Sequence, residues 1–237
     1  AIPVYGRSAD NIRDHRHVTS LLHRIDTKEC GVEVTPVLSF DERGHQKNDT
    51  TYFVYGFTAE GNAPKEFYPT VESFIGEGGS FLIPEAVRVE KKGCTAGCHL
   101  EGKEAVGAFR FERRKLKANE SIEYVVLAGA TGEKASISKI CTLFGTKEQA
   151  ENELAKVKKY WTEKVNVEFE TGDEATDNYL KWICFQPILR RIYGCSFLPY
   201  HDYGKGGRGW RDLWQDCLAL LIMNPSNVRQ MIVDNYG

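Results

Sequence analysis

Apolar residues alternate or run together in five segments of the first 145 residues: VEVTPVLSF (32–40), TTYFVYGFTA (50–59), AVRVE (86–90), AVGAFRFERRKL (105–116) and SIEYVVLAGA (121–130). These runs are rich in Val, Tyr and Phe, and a period of two predicts half-buried or buried strands. Between them lie turn signals: DERGHQKND, AEGNAPKE, GEGGS, KKGC and KANE. Short strands with such spacing predict an antiparallel β-sandwich. RHVTSLLHRID (16–26) fits a strand or a short helix, with the strand favoured.

The pattern then changes period. TKEQAENELAKVKKYWTEKV (146–165) is made of strong helix formers, with Thr146 placed as an N-cap and Leu154, Val157 and Trp161 on one line. DEATDNYLKWICFQPILRRIYG (173–194) reads as a second helix, apolar around much of its circumference, with a kink expected at Pro187. A further helix is expected from about 213 to 223, stopped by Asn224-Pro225, and a last one follows Ser226 as its cap. The organisation read from these patterns is a β domain over 1–145, a linker helix and connector over 146–172, and the first helices of an all-helical region over 173–237. The helix at 173–194 needs more apolar partners than the remaining residues supply, so the chain is expected to be a fragment of a larger protein.

Composition narrows the class. With 31 basic and 33 acidic residues, a net charge of −2 argues against a nucleic-acid partner held by a broad positive field. Seven cysteines, an odd number, suit reduced thiols and a cytoplasmic setting, and no apolar run is long enough to predict a membrane partner. Cys94, Cys98 and His99 suggest a metal clip at first sight, but no second ligand pair follows at zinc-finger spacing. Two small thiols flanking a turn is the better reading, and no metal or cofactor is expected. His15, His17 and His23 lie among arginines, and charged edge or interface positions account for them better than a metal set does.

The densest candidate chemistry is GKGGRGWRDLWQD (204–216). A phosphate-binding P-loop needs GxxxxGK[ST] after a strand, and GKGGRG has neither that spacing nor the strand. The dinucleotide fingerprint also fails, because no βαβ unit surrounds it. Asp212 with Gln215 three residues on fits a helix N-cap and capping box. That alone does not account for four glycines beside Lys205, Arg208, Arg211 and Trp210. Glycines let the backbone approach a ligand, while arginines and a carboxylate pair with vicinal hydroxyls. Cap and ligand site both stand at this point.

The Gly-rich turn followed by Trp210-Arg211-Asp212, three residues and Asp216 resembles the entry to the helical barrel in glycoside hydrolase family 94, the inverting cellobiose and chitobiose phosphorylases and the related domains of cyclic β-1,2-glucan synthases. There the pattern is Phe-Arg-Asp and a second Asp. FIGEGGSFLIPEAV (74–87) resembles a loop and following strand of that family, and GAFRFERRKLKANESIEYVVLAGA (107–130) the last strands of its N-terminal sandwich. KVKKYWTEKVNVEFETGDEATDNYLKWICFQ is similar to its linker helix and the start of its first barrel helix.

The resemblance implies a galactose-mutarotase-like β-sandwich, a helical linker and the start of an (α/α)6 barrel. It implies phosphorolysis, in which inorganic phosphate cleaves a β-linked oligosaccharide of glucose or N-acetylglucosamine to an α-sugar 1-phosphate. Asp212 would grip the donor sugar, Lys205 or Arg208 would assist, Arg211 would orient Asp212, and Gln215 would complete the substrate-binding set. Asp216 is expected to be structural. A homodimer is implied, with the turn 73–81 a candidate to approach the partner's site. The family's general-acid Asp-Trp-Asn-Asp-like motif does not occur here, so the isolated chain is expected to be inactive and to need the remainder of the barrel. Cys195 falls where the family has a phosphate-contacting Arg, with Arg190 and Arg191 a little upstream. A carbohydrate-binding or assembly module without chemistry, and an inverting hydrolase on the same fold, are the alternatives.

Overall fold

The computed structural model describes residues 2–3, 20–41, 44–132, 135–193 and 210–235. The chain divides into two compact units, Ala1–Glu153 and Leu154–Gly237. The first carries the strands β1 (Ile2–Pro3), β2 (His23–Lys28), β3 (Gly31–Pro36), β4 (Leu38–Asp41), β5 (Gly44–Lys47), β6 (Thr51–Thr58) and β7 (Glu66–Thr70). After β7 come the short helices α1 (Val71–Ile75) and α2 (Glu85–Arg88), then β8 (His99–Glu101), β9 (Ala105–Arg110), β10 (Tyr124–Thr131) and α3 (Ala135–Phe144). Helix α4 (Lys147–Lys164) contains the boundary between the units, and α5 (Glu174–Tyr193), α6 (Trp210–Met223) and α7 (Val228–Asp234) follow.

The strands form a five-stranded antiparallel sheet in the order β10-β6-β3-β2-β8, a three-stranded one in the order β1-β9-β7, and the hairpin β4-β5. The architecture is mixed, antiparallel sheets followed by helices, with no closed barrel among the described residues.

Strand β6 shows why the first unit holds together. TYFVYGFT is apolar almost throughout because both of its faces are covered. On one face Val54 packs with Ile25, Val32, Val34 and Ala105, joined by Tyr52 and Phe109, so residues of both sheets share one cluster. On the other face Phe53, Tyr55 and Phe57 meet Ile137 of α3, with Val125 and Leu127 of β10 beside them. Each such side chain, fully buried, contributes on the order of 1.5–3 kcal/mol. The sheets approach closely at Gly107, where an added Cβ would lie 2.4 Å from the Cβ of Val54. A third cluster, Tyr68, Val71, Ala86, Val106 and Ala108, seats α1 and α2 on the three-stranded sheet.

A buried carboxylate interrupts this apolar plan. Glu33 lies on the face of β3 towards α3, and the Tyr55 hydroxyl donates to its Oε1 at 2.6 Å. Burial first, and then this carboxylate, raises the Tyr55 phenol above its usual range.

Several expected elements are altered. AVRVE is not a strand: Pro84 caps α2, and the amides of Val87 and Arg88 both donate to its carbonyl at 3.0 Å. The alternation there reflects Ala86 packing inward while Val87 and Val89 stay exposed. The run 105–116 stops as a strand at Arg110, whose guanidinium donates to Glu66 Oε2, the Ala86 carbonyl and the Lys91 carbonyl. VEVTPVLSF divides at Val37, whose amide still bonds the Leu22 carbonyl at 2.9 Å, the next pair in the β2–β3 register, while its carbonyl accepts from the Asn48 amide at 3.2 Å. In 16–26 the strand begins at His23, and residues 16–19 lie outside the described residues. Thr146 does cap α4: its Oγ1 accepts from the Gln149 amide at 3.2 Å, and Gln149 Oε1 accepts from the Thr146 amide at 3.1 Å. Leu154 and Val157 of α4 are exposed. Ser226 is not the cap of the last helix; that position is Asn227, in the left-handed region with φ 62°, while the Ser226 hydroxyl donates to Asn224 Oδ1.

The second unit is built on Ile188 of α5, Leu213, Cys217 and Leu220 of α6, and Val228 of α7, with Trp161 and Val165 packed against them. Asp173 Oδ2 accepts from the Thr176 amide at 3.0 Å at the start of α5. Pro187 sits inside α5, where it supplies no N–H to the ladder.

His23 gives the first unit a pH dependence. Its ring is buried, and its Nδ1 lies 3.2 Å from the Lys103 carbonyl, which can only accept. Nδ1 therefore carries the proton, and Nε2 is buried without a partner among the described residues. Burial lowers the His23 pKa, against the raising effects of the Lys103 carbonyl and Glu104. With a folded pKa below the unfolded value, the unfolded chain binds the extra proton first. The His23 contribution is thus complete above about pH 6.5 and is lost as pH falls through the folded pKa. Urea unfolding between pH 7.5 and 5 is expected to show stability falling with acid in the wild type and falling less in His23→Leu. Equal slopes would rule His23 out as the source.

Candidate functional site

Arg211, Asp212 and Gln215 lie at the start of α6, and local sequence explains why one face of that helix is buried and the other is not. Leu213, Asp216, Cys217 and Leu220 recur at the spacing of one helical face, and all four are buried. Arg211 and Gln215 fall on the opposite side and are exposed, Asp212 and Trp214 lie between, and Trp210, three residues before Leu213, is exposed at the start of the helix. The helix begins at Trp210, earlier than expected, so Asp212 is in its first turn and is not its N-cap. A carboxylate there complements the exposed amides of the helix start.

Arg211 and Asp212 form a loose pair, Nη2 to Oδ1 at 3.8 Å, with side-chain exposures of 85% and 42%. Water screens a pair so open, and it contributes little to stability. Both groups present hydrogen-bonding atoms to solvent. Trp210 stands beside them, its ring edge-on to Trp214 with centroids 5.2 Å apart. Lys205 and Arg208 lie outside the described residues, as does Cys195.

One turn further along α6 the chemistry reverses. Asp216 is 2% exposed, and Arg190 of α5 grips it with a bidentate fork. Arg190 Nε donates to Oδ1 at 3.0 Å and Oδ2 at 2.8 Å, and Nη2 donates to Oδ1 as well. The next arginine is equally committed. Arg191 Nη1 donates to the carbonyls of Asn224 and Ser226, both at 3.0 Å, and Nη2 donates to Asn224 Oδ1 at 3.0 Å. Both arginines upstream of the Gly-rich turn thus make protein contacts that fasten α5 to α6 and to the turn after it. This ion pair was legible only in half: an acidic residue on an apolar helical stripe signals a buried partner, but nothing marks Arg190 as that partner.

The other clustered groups are self-satisfied. His99 Nδ1 meets Asp26 Oδ1 at 2.8 Å and Nε2 meets Glu101 Oε1 at 3.2 Å. The two carboxylates raise the His99 pKa, and they take up the ring that a clip with Cys94 and Cys98 would need. Among the described residues no group of three or more His, Cys, Asp or Glu is placed to hold a metal ion. No helix among them is long and apolar enough to cross a membrane.

No protein-family model matches the chain, and no curated protein matches it.

All four tryptophans (161, 182, 210 and 214) belong to the second unit, so their fluorescence follows its unfolding. Asp216→Ala, which takes the carboxylate partner away from the partly buried Arg190 guanidinium, is expected to cost that unit about 3–5 kcal/mol. Asp212→Ala is expected to change it by less than about 0.5 kcal/mol. Urea titrations followed by tryptophan emission check both, and an unchanged midpoint for Asp216→Ala would contradict the assignment.

Proposed function

We propose that the chain is part of an inverting carbohydrate phosphorylase, a galactose-mutarotase-like sandwich, a linker helix and the first helices of an (α/α)6 barrel, with the start of α6 holding the donor sugar. The observation that carries this is the division of labour along α6. Asp216 is consumed by Arg190, while Arg211, Asp212 and Trp210 stay open to solvent one turn earlier. The buried carboxylate is committed to Arg190, whereas the Arg211–Asp212 pair keeps hydrogen-bonding atoms open to solvent, and open atoms of this kind are what a sugar needs. Asp212 accepts from vicinal hydroxyls, Arg211 orients it, and Trp210 offers an aromatic face to an apolar sugar face.

The reaction places simple demands on the rest of the protein. A phosphate oxygen attacks the anomeric carbon from the face opposite the leaving group. The C–O bond to the departing sugar breaks, and a carboxylic acid protonates that oxygen. Phosphate is already an anionic nucleophile, so no carboxylate base is required, and a single acid suffices. No candidate for that acid lies at the start of α6, and the reading places it, with the phosphate ligands, on the remainder of the barrel. The exposed Tyr179, Trp182 and Ile183 of α5 and Leu218, Leu221 and Ile222 of α6 suit burial against such further helices. The exposed Leu82, Ile83 and Val87 suit a second subunit.

The test is a panel of β-linked glucose and N-acetylglucosamine oligosaccharides given to a polypeptide that extends through the proposed acid, with and without phosphate. Sugar 1-phosphate formed only with phosphate is the expected result, and the 237-residue chain alone is expected to show none. Reducing sugar released equally without phosphate would make the protein an inverting hydrolase. Saturable binding without turnover would make it a carbohydrate-binding module.

A further inference from the structure

A second chemical site lies in the first unit, in the turn Cys94-Thr95-Ala96-Gly97-Cys98. The turn is pinned at both ends. At Cys94, the amide donates to the Phe67 carbonyl and the carbonyl accepts from the Phe67 amide, both at 2.9 Å, which ties it to β7. At Cys98, the amide donates to Thr27 Oγ1 at 2.9 Å and the carbonyl accepts from the Thr27 amide at 2.9 Å, which ties it to β2. Thr27 is buried, and its hydroxyl also donates to the Thr95 carbonyl at 2.8 Å across the turn. Gly97 completes the reversal with φ 89°, and its amide donates to the Thr27 carbonyl at 2.8 Å. One threonine therefore sets the span between the two cysteines.

Both cysteines are free thiols, half-buried, at the two ends of this one anchored turn. Two thiols four residues apart on a turn whose backbone is anchored to two strands need little movement to join. Neither is required by the packing clusters, and His99, the nearest metal-type ligand, is occupied by Asp26 and Glu101.

We propose that Cys94 and Cys98 form a dithiol site that closes reversibly to a disulfide by exchange with a small-molecule disulfide. The thiolate of one cysteine attacks the reagent's S–S bond, giving a mixed disulfide and releasing one small thiol. The sulfur of the other cysteine then displaces the second small thiol and forms the Cys94–Cys98 bond. Two electrons pass from the protein to the reagent, and the two cysteine protons leave on the two released thiols. Burial, and then the neighbouring Cys98 thiol, push the Cys94 thiol up to about 11. Exchange is accordingly slow at neutral pH and faster in mild alkali.

The native chain is incubated with oxidised glutathione at mildly alkaline pH, the remaining thiols are capped with N-ethylmaleimide, and tryptic peptides are weighed. Cleavage after Lys92 and Lys103 leaves both cysteines on one peptide. The expected peptide carries no cap and no glutathione, has lost two hydrogens, and regains both thiols with dithiothreitol. It should exceed the mixed disulfide at least roughly tenfold, the advantage of a preorganised partner. Cys98→Ser should instead stop at glutathione on Cys94. Thr27→Val, close in shape but without the hydroxyl, should reduce closure several-fold at the same glutathione ratio. Capping of both cysteines, or glutathione on both without closure, would overturn the proposal. Closure unaffected by Thr27→Val would show that the fold does not build the site.

Discussion

The second unit depends on one ion pair. Asp216 is buried among Leu213, Cys217 and Leu220, where a lone carboxylate would be several kcal/mol out of place. The Arg190 fork supplies hydrogen bonds to both oxygens, and Arg190 is itself mostly buried, so neither charge is tolerable without the other. That mutual requirement sets the rotation of α6 about its own axis against α5. With Asp216 turned inward, the residues on the opposite side of the first turn must turn outward. Arg211 and Gln215 are exposed for this reason, and Asp212 is left at the margin. Arg191, clamping Asn224 and Ser226, fixes the far end of the same helix. A candidate ligand surface is thereby held by contacts that do not belong to it.

The first unit is ordered by a different constraint, the double-sided burial of β6. Its even positions join the two sheets and its odd positions carry α3. Polar atoms enter that interior only in pairs or at a cost. Glu33 is matched by Tyr55, whereas His23 satisfies Nδ1 and leaves Nε2 without a partner among the described residues.

These two constraints explain what could be read in advance. The strand at 50–59 was legible because its apolar run is buried almost throughout, and the strand at 121–130 because Val125 and Leu127 alternate towards α3. The helix at 146–165 was legible because strong helix formers follow the Thr146 cap, although Leu154 and Val157 stay exposed. AVRVE alternates as a strand would, yet Pro84 and the absence of a neighbouring ladder decide for a helical turn. In 105–116 the apolar period ends at Phe111, and the basic residues beyond it belong to an exposed segment. Asp212 looked like a cap because Asp is a good one, but the helix begins at Trp210 and needs its cap earlier. Asp216 betrayed itself by sitting on an apolar stripe, while Arg190, 26 residues away, carried no such mark. Pairings of this kind are set by the packing of two helices and leave little trace in local spacing. Lys205 and Arg208 fall outside the described residues, so the Gly-rich half of the candidate site rests on sequence alone.

The central claim is that α6 separates a structural carboxylate from a sugar-binding one, and Asp212→Asn tests it most directly. Phosphate-dependent sugar 1-phosphate formation and thermal unfolding are measured side by side on a polypeptide that includes the proposed acid. The account predicts turnover reduced by about 10²-fold or more, as hydrogen bonds to the sugar are lost. It also predicts a Tm within about 2 °C of the wild type, as for other exposed substitutions. Full turnover in the variant, or a loss of turnover that simply follows a lowered Tm, would contradict it.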